Sequence, residues 1–145
     1  MFKTNLKALA TGVLLICAMA PMTSFADAKH HKLVIQVSSG DALTQKIALN
    51  NAVNVQKSLG MDNVDIEIVA YGPGLSIMTA KSKEATRVKS LATQNIKFSA
   101  CGNTIKAIKK KTGKEPKLTE GVHVVPGGIV RIMELQEQGY SYVRP

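Results

Sequence analysis

Cysteine and the aromatic residues are scarce in this chain. Its 145 residues include two cysteines (Cys17 and Cys101), three tyrosines, three phenylalanines and no tryptophan. So few thiols exclude a small scaffold stapled by disulfides. Histidine is almost as rare, and its placement excludes the usual zinc frameworks. His30 and His31 stand in a KHHK run with no second ligand pair at a metal spacing, and His123 falls singly within an expected strand. Neither a metal nor a cofactor is expected. Acidic residues are also few, ten Asp plus Glu against nineteen Lys plus Arg, which leaves a formal charge of +9. A hydrophobic fraction of 45% with 20% charged residues excludes intrinsic disorder and collagen-like repeats, and the length fits one domain with its own core.

Several reaction classes lose support for want of their motifs. Gly72-Pro73-Gly74 lacks the third glycine of a dinucleotide fingerprint, and Pro73 removes a backbone donor. A glycine-rich phosphate loop ending in lysine and serine or threonine is missing, as are a Ser-His-Asp order and a convincing carboxylate pair. Conventional hydrolase and dehydrogenase chemistry therefore has little basis.

One apolar run stands out from the rest. Lys3 and Lys7 precede Ala8 to Ala20, and Pro21 ends that run. At about 13 residues it falls short of the about 20 that span a bilayer, so residues 1–26 read as a cleavable secretory signal and not as a stable membrane anchor. Cleavage after Ala26 places Ser24 and Ala26 at the positions that require small side chains; cleavage after Ala28 uses Ala26 and Ala28. Lipidation at Cys17 would need a small residue where Ile16 stands. The expected product is a soluble periplasmic domain over 29–145, and Cys101 is its single thiol.

That domain alternates strands and helices. Lys32–Ser38 and Val64–Tyr71 are β-branched strands, the second with acidic residues alternating at Asp65 and Glu67, and 41–59 places Ala48, Leu49, Ala52, Val53, Val55 and Leu59 on one helical arc. Further on come a helix over 82–93, a strand over 96–100, a helix over 103–111, a strand over 121–125, a helix over 128–138 and a last strand over 140–143. The pattern predicts a three-layer α/β/α sandwich around a mostly parallel sheet of about five strands. Such sheets place their chemistry at the carboxyl ends of the strands. Four ends are visible: Ser39-Gly40-Asp41, Gly72-Pro73-Gly74, Cys101-Gly102-Asn103 and Pro126-Gly127-Gly128. Each carries glycine, which lets a backbone approach a ligand or simply serves a tight turn.

Cys101 sits where a strand gives way to a helix. Unpaired N–H groups at a helix start stabilise an anion, so a thiol there is a candidate thiolate nucleophile. The opposing account is a small buried filler. The phrases QVSSGD, ALNNAVNVQKSLG, DIEIVAYGPG, KFSACGNT and GVHVVPGGIVRIMELQEQGYSYVRP together resemble the DsrE-like proteins, in particular a secreted branch of the DsrE/DsrF-like family, across nearly the whole mature chain. The resemblance implies a compact α/β fold, homo-oligomers, and a cysteine that carries sulfane sulfur as a persulfide. The partners so implied are a sulfur donor or acceptor protein or a small sulfur anion, although cytoplasmic relay partners would not be met after secretion. Cys101 would be the catalytic residue of a sulfurtransferase or sulfur carrier, with Gly102, Asn103 and Thr104 supplying donors to the anionic sulfur. The competing functions are a small-anion-binding or assembly module with a structural cysteine, and a thiol redox sensor.

Other residues complete the candidate crevice. Tyr71, Gly72 and Gly74 could wall it, as could Gly127 and Gly128. Arg131 either pairs with Glu134 one turn on or faces the crevice to hold a sulfur oxyanion. Asn50 and Asn54, beside Leu43 and Ile47, form a mixed helix face that is solvated or a subunit contact. Residues 106–117 carry six lysines and one glutamate. Without interleaved aromatics and with an export signal this is not a nucleic-acid surface; it is a solvated helix end or attracts anionic substrates or an acidic partner.

Overall fold

The computed structural model describes residues 30–145. The expected signal segment and Cys17 lie outside the described residues. Five strands, β1 (His31–Val37), β2 (Val64–Ala70), β3 (Ile96–Cys101), β4 (Val122–Val125) and β5 (Ser141–Val143), alternate with α1 (Ala42–Leu59), α2 (Ala85–Ala92), α3 (Gly102–Thr112) and α4 (Gly128–Glu137). All pairings are parallel, in the order β4-β3-β2-β1-β5. The fold is therefore the expected α/β class, with the two short outer strands limiting the exposed sheet edge.

The layers are unequal. Ala48, Leu49 and Ala52 of α1, Val88 and Leu91 of α2, and Ile105 and Ile108 of α3 pack on one face against Ile35, Ile66, Ile68, Ile96 and Phe98. Fully burying a side chain such as Phe98 contributes about 2–3 kcal/mol. On the other face, α4 alone covers the sheet, through Ile132 and Leu135 against Val34 and Val69. Three crossovers thus run on one face and the fourth returns on the opposite face, setting β5 beside β1.

Local chemistry sets the ends of these elements. Asp41 caps α1 by accepting from the Thr44 N–H at 2.8 Å and the Thr44 hydroxyl at 2.9 Å, and Gly60 closes it with φ +90°. The helix expected from residue 82 starts later, at Ala85. Ser82 instead forms a turn, its hydroxyl accepting from the Glu84 N–H and its carbonyl from the Ala85 N–H, each at 3.1 Å. The apolar piece after Tyr71 is a 3-10 helix over Gly72–Met78 that buries Leu75, Ile77 and Met78.

Candidate functional site

Two adjacent strands send their chains to opposite faces. From the end of β3 the chain enters α3 on the three-helix face; from the end of β4, paired alongside through Cys101 and Val125, it enters α4 on the other. This divergence is the topological switch point, where a parallel sheet opens a crevice at its carboxyl edge. Cys101 is the last residue of β3 and the N-cap of α3.

Both helices start there without a side-chain cap. No side chain caps α3 at Cys101 or α4 at Gly127, in contrast to the Asp41 cap of α1. Gly128 brings α4 onto the thiol: a Cβ at this position would stand 3.3 Å from the Cys101 Cβ, and 3.0 Å from Cδ1 of Tyr71. Gly102 brings β4 equally close, since a Cβ there would meet the Val125 carbonyl oxygen at 3.0 Å.

The Cys101 thiol is free and buried, with 5% of the residue exposed. Burial pushes its pKa up, but the Thr104 hydroxyl and the N–H groups of Thr104, Gly128 and Asn103 favour the thiolate and hold it below the ordinary thiol value. Thr104 is itself fixed, because its Oγ1 accepts from the Gly72 N–H at 2.9 Å. The Asn103 N–H also donates to the Pro126 carbonyl, at 3.3 Å. A mostly apolar groove of about 380 Å³ runs from Gly72 and Thr104 along α3 to Lys111. A larger, more polar groove of about 470 Å³, bordered by His30, Asp65, Lys97 and His123, lies at the amino ends of the strands, away from the thiol.

The structure thus brings Tyr71, Cys101, Gly102, Asn103, Thr104, Gly127 and Gly128 together, with Gly72 joined through Thr104. Gly74 is placed differently. It packs on the end of β1, where a side chain would collide with the Val37 carbonyl, so its glycine is required by backbone packing. Arg131 donates from Nη1 to Glu134 at 3.2 Å, the expected pair, but its main partner is Glu67: Nε and Nη2 each reach a Glu67 oxygen at 2.8 Å. Carboxylates thereby engage three of the five guanidinium N–H donors. Asn50 and Asn54 are exposed, and Asn50 accepts from Arg87 at 2.8 Å. The six lysines of 106–117 are exposed, with Lys109 paired to Glu115 at 3.0 Å.

Sequence reasoning missed the role of Glu67. This residue sits in the central strand β2, 1% exposed, and also accepts from the Ser99 hydroxyl at 2.6 Å. Arg131 and Ser99 hold its carboxyl below the usual range against the burial that pushes it up. The available signal was an acidic residue inside an otherwise apolar strand flanked by parallel partners. Among the described residues, no group of His, Cys, Asp and Glu could hold a metal ion, and no helix is long and apolar enough to cross a membrane.

Fold and site define an α/β protein with a thiol at the switch point of a parallel sheet. The chain belongs to the DsrE/DsrF-like family, whose model matches residues 31–145. It is similar to the solved structure of MTH1491, a protein of unknown function from Methanobacterium thermoautotrophicum, with 31% identity and a TM-score of 0.72 over 79% of this chain and 99% of that one. It shares its fold with the ychN protein of E. coli, at 15% identity and a TM-score of 0.64, again over 79% of this chain and 99% of the other. No curated protein matches.

Proposed function

We propose that this protein binds or relays sulfane sulfur as a persulfide on Cys101, acting in the periplasm after removal of its signal segment. The family is linked to sulfur relay. One observation carries the finer reading: two uncapped helix starts converge on one thiol, so that a thiolate there would take the place of a capping side chain. The Cys101 thiolate attacks the outer sulfur of a persulfide or polysulfide donor. A new bond forms between Sγ and that sulfur, the donor's S–S bond breaks, and its electron pair leaves with the donor thiolate, which takes up a proton. A second thiolate then removes the outer sulfur from Cys101 by the same exchange. No net oxidant is needed.

Assembly with further copies belongs to the same proposal. Ile129, Val130 and Met133 of α4 are each more than half exposed, and a subunit contact would cover them beside the site. The lysines of 106–117 supply an attraction for small sulfur anions or an acidic partner.

The test is intact mass of the purified mature protein before and after polysulfide and then reductant, alongside Cys101→Ser. The expected result is one added sulfur, removed by reductant and absent from the variant. An unchanged parent mass refutes the carrier role. The 5% exposure of Cys101 favours a second reading, a binding or assembly module with a structural cysteine. It predicts slow thiol labelling of the native protein and fast labelling after denaturation. A redox sensor would instead change reversibly with peroxide and take up no sulfur.

A further inference from the structure

Glu67 is a buried carboxylate that the sulfur chemistry does not use. Burying an ion pair is costly, and an apolar pair of similar volume is often as stable or more so. Fold stability alone therefore gives little reason for Glu67, and its geometry supplies another. Side chains alternate along a strand, so Lys97, Ser99 and Cys101 of β3 point to the same face, as do Glu67 and Val69 of β2; this is the face that α4 covers, and Tyr71, just past β2, packs there too. Ser99, two residues before the thiol, donates to Glu67. Arg131 stands in the first turn of α4, its own N–H donating to the Gly127 carbonyl at 3.0 Å. The fork of Arg131 on the two Glu67 oxygens fixes both the height and the rotation of that turn over the sheet, as bidentate pairs do. Gly128, three residues before Arg131, is the residue that lies against Cys101.

We propose that Glu67 is a positioning residue, which acts through Arg131 to hold the start of α4 with the Gly128 N–H facing the Cys101 sulfur. The proposal rests on reading Cys101 as a working thiolate. Around the thiol stand Tyr71 from the end of β2, Val125 from β4, Asn103 and Thr104 from α3 and Gly128 from α4, none of them a carboxylate, amine or guanidinium. The charged groups facing Glu67 are Arg131 and Lys97, and Glu134 faces Arg131. Direct electrostatics and positioning then predict opposite signs. Removing the Glu67 charge, with Arg131 left cationic, would by Coulomb's law favour the thiolate and lower the thiol pKa. Releasing α4 withdraws an N–H dipole and raises it.

The experiment is the pH dependence of iodoacetamide alkylation of Cys101 in the parent, Glu67→Gln, Arg131→Lys and Glu134→Gln, with cooperative melting as the check on folding. Arg131→Lys keeps the charge, loses the fork and changes a side chain only 27% exposed at the helix margin, so it carries the test if Glu67→Gln does not fold. The expected result is a higher midpoint in both variants, with alkylation at neutral pH slowed about three- to tenfold, a shift of about half to one unit. Glu134→Gln, which leaves the Glu67 fork intact, should not raise the midpoint. An unchanged or lowered midpoint in folded Glu67→Gln or Arg131→Lys overturns the proposal. The readout is independent of sulfur uptake: a parent that gains no sulfur refutes the proposed function, whereas an unshifted midpoint refutes the positioning role alone.

Discussion

Gly128 and Cys101 meet across the gap between two helix starts, so closely that a methyl group on Gly128 would stand 3.3 Å from the cysteine Cβ and 3.1 Å from that of Tyr71. The absence of a side chain brings an N–H dipole to the thiol. Gly128→Ala should push the first turn of α4 outward, at a cost of about 1–3 kcal/mol from overpacking. Thermal melting should show the loss, and alkylation of Cys101 should require higher pH. A variant with parent stability and parent reactivity would contradict this contact.

Thr104 serves two partners. Its oxygen accepts from the Gly72 N–H, and its hydroxyl favours the Cys101 thiolate. Thr104→Val keeps the shape and removes both. The thiol pKa should rise, and stability should fall by about 1 kcal/mol because a partly buried N–H loses its acceptor. Alkylation against pH, together with a denaturant titration, checks both effects.

Glu67 should also leave a mark on acid stability. Its folded pKa lies below the ordinary 4.5. Its contribution is therefore complete above that value and lost as pH falls through the lower folded one. Breaking the pair in Glu67→Gln should cost about 1–3 kcal/mol at neutral pH, since Arg131 is partly exposed and keeps Glu134, while the variant's stability should fall less as pH drops below 4.5. Urea titrations at several pH values measure this. An unaltered acid limb would show that other carboxylates control it.

The exposed residues of α4 give the assembly proposal a direct check. Met133 is 55% exposed and Val130 57% exposed. Met133→Glu should reduce the mass of the parent oligomer, measured by light scattering after size exclusion, while circular dichroism stays unchanged. A parent that is monomeric at high concentration would remove the assembly proposal.

Much of the fold was legible in the sequence because its signals are local. The β-branched runs, the apolar arc of 41–59 and the glycine turns each fix an element within a few residues. The position of Cys101 at a strand end was legible for the same reason. The partnership of Glu67 with Arg131 was not, since the residues lie 64 positions apart and meet only after α4 returns across the sheet. The alternation of Asp65 and Glu67 marked a strand but did not tell the two carboxylates apart. In the fold, Asp65 is partly exposed near the amino end of β2, whereas Glu67 is buried under α4. Ser82 shows a subtler miss, a hydroxyl that turns the backbone where periodicity alone extended a helix.

The pairing of β5 with β1 joins the last strand of the described residues to the first. α4 is followed directly by β5, so this pairing tethers the far end of the helix that lies over the thiol. If Cys101 works as the proposed thiolate, the grip of β5 on β1 is thus one of the contacts on which its second helix start depends.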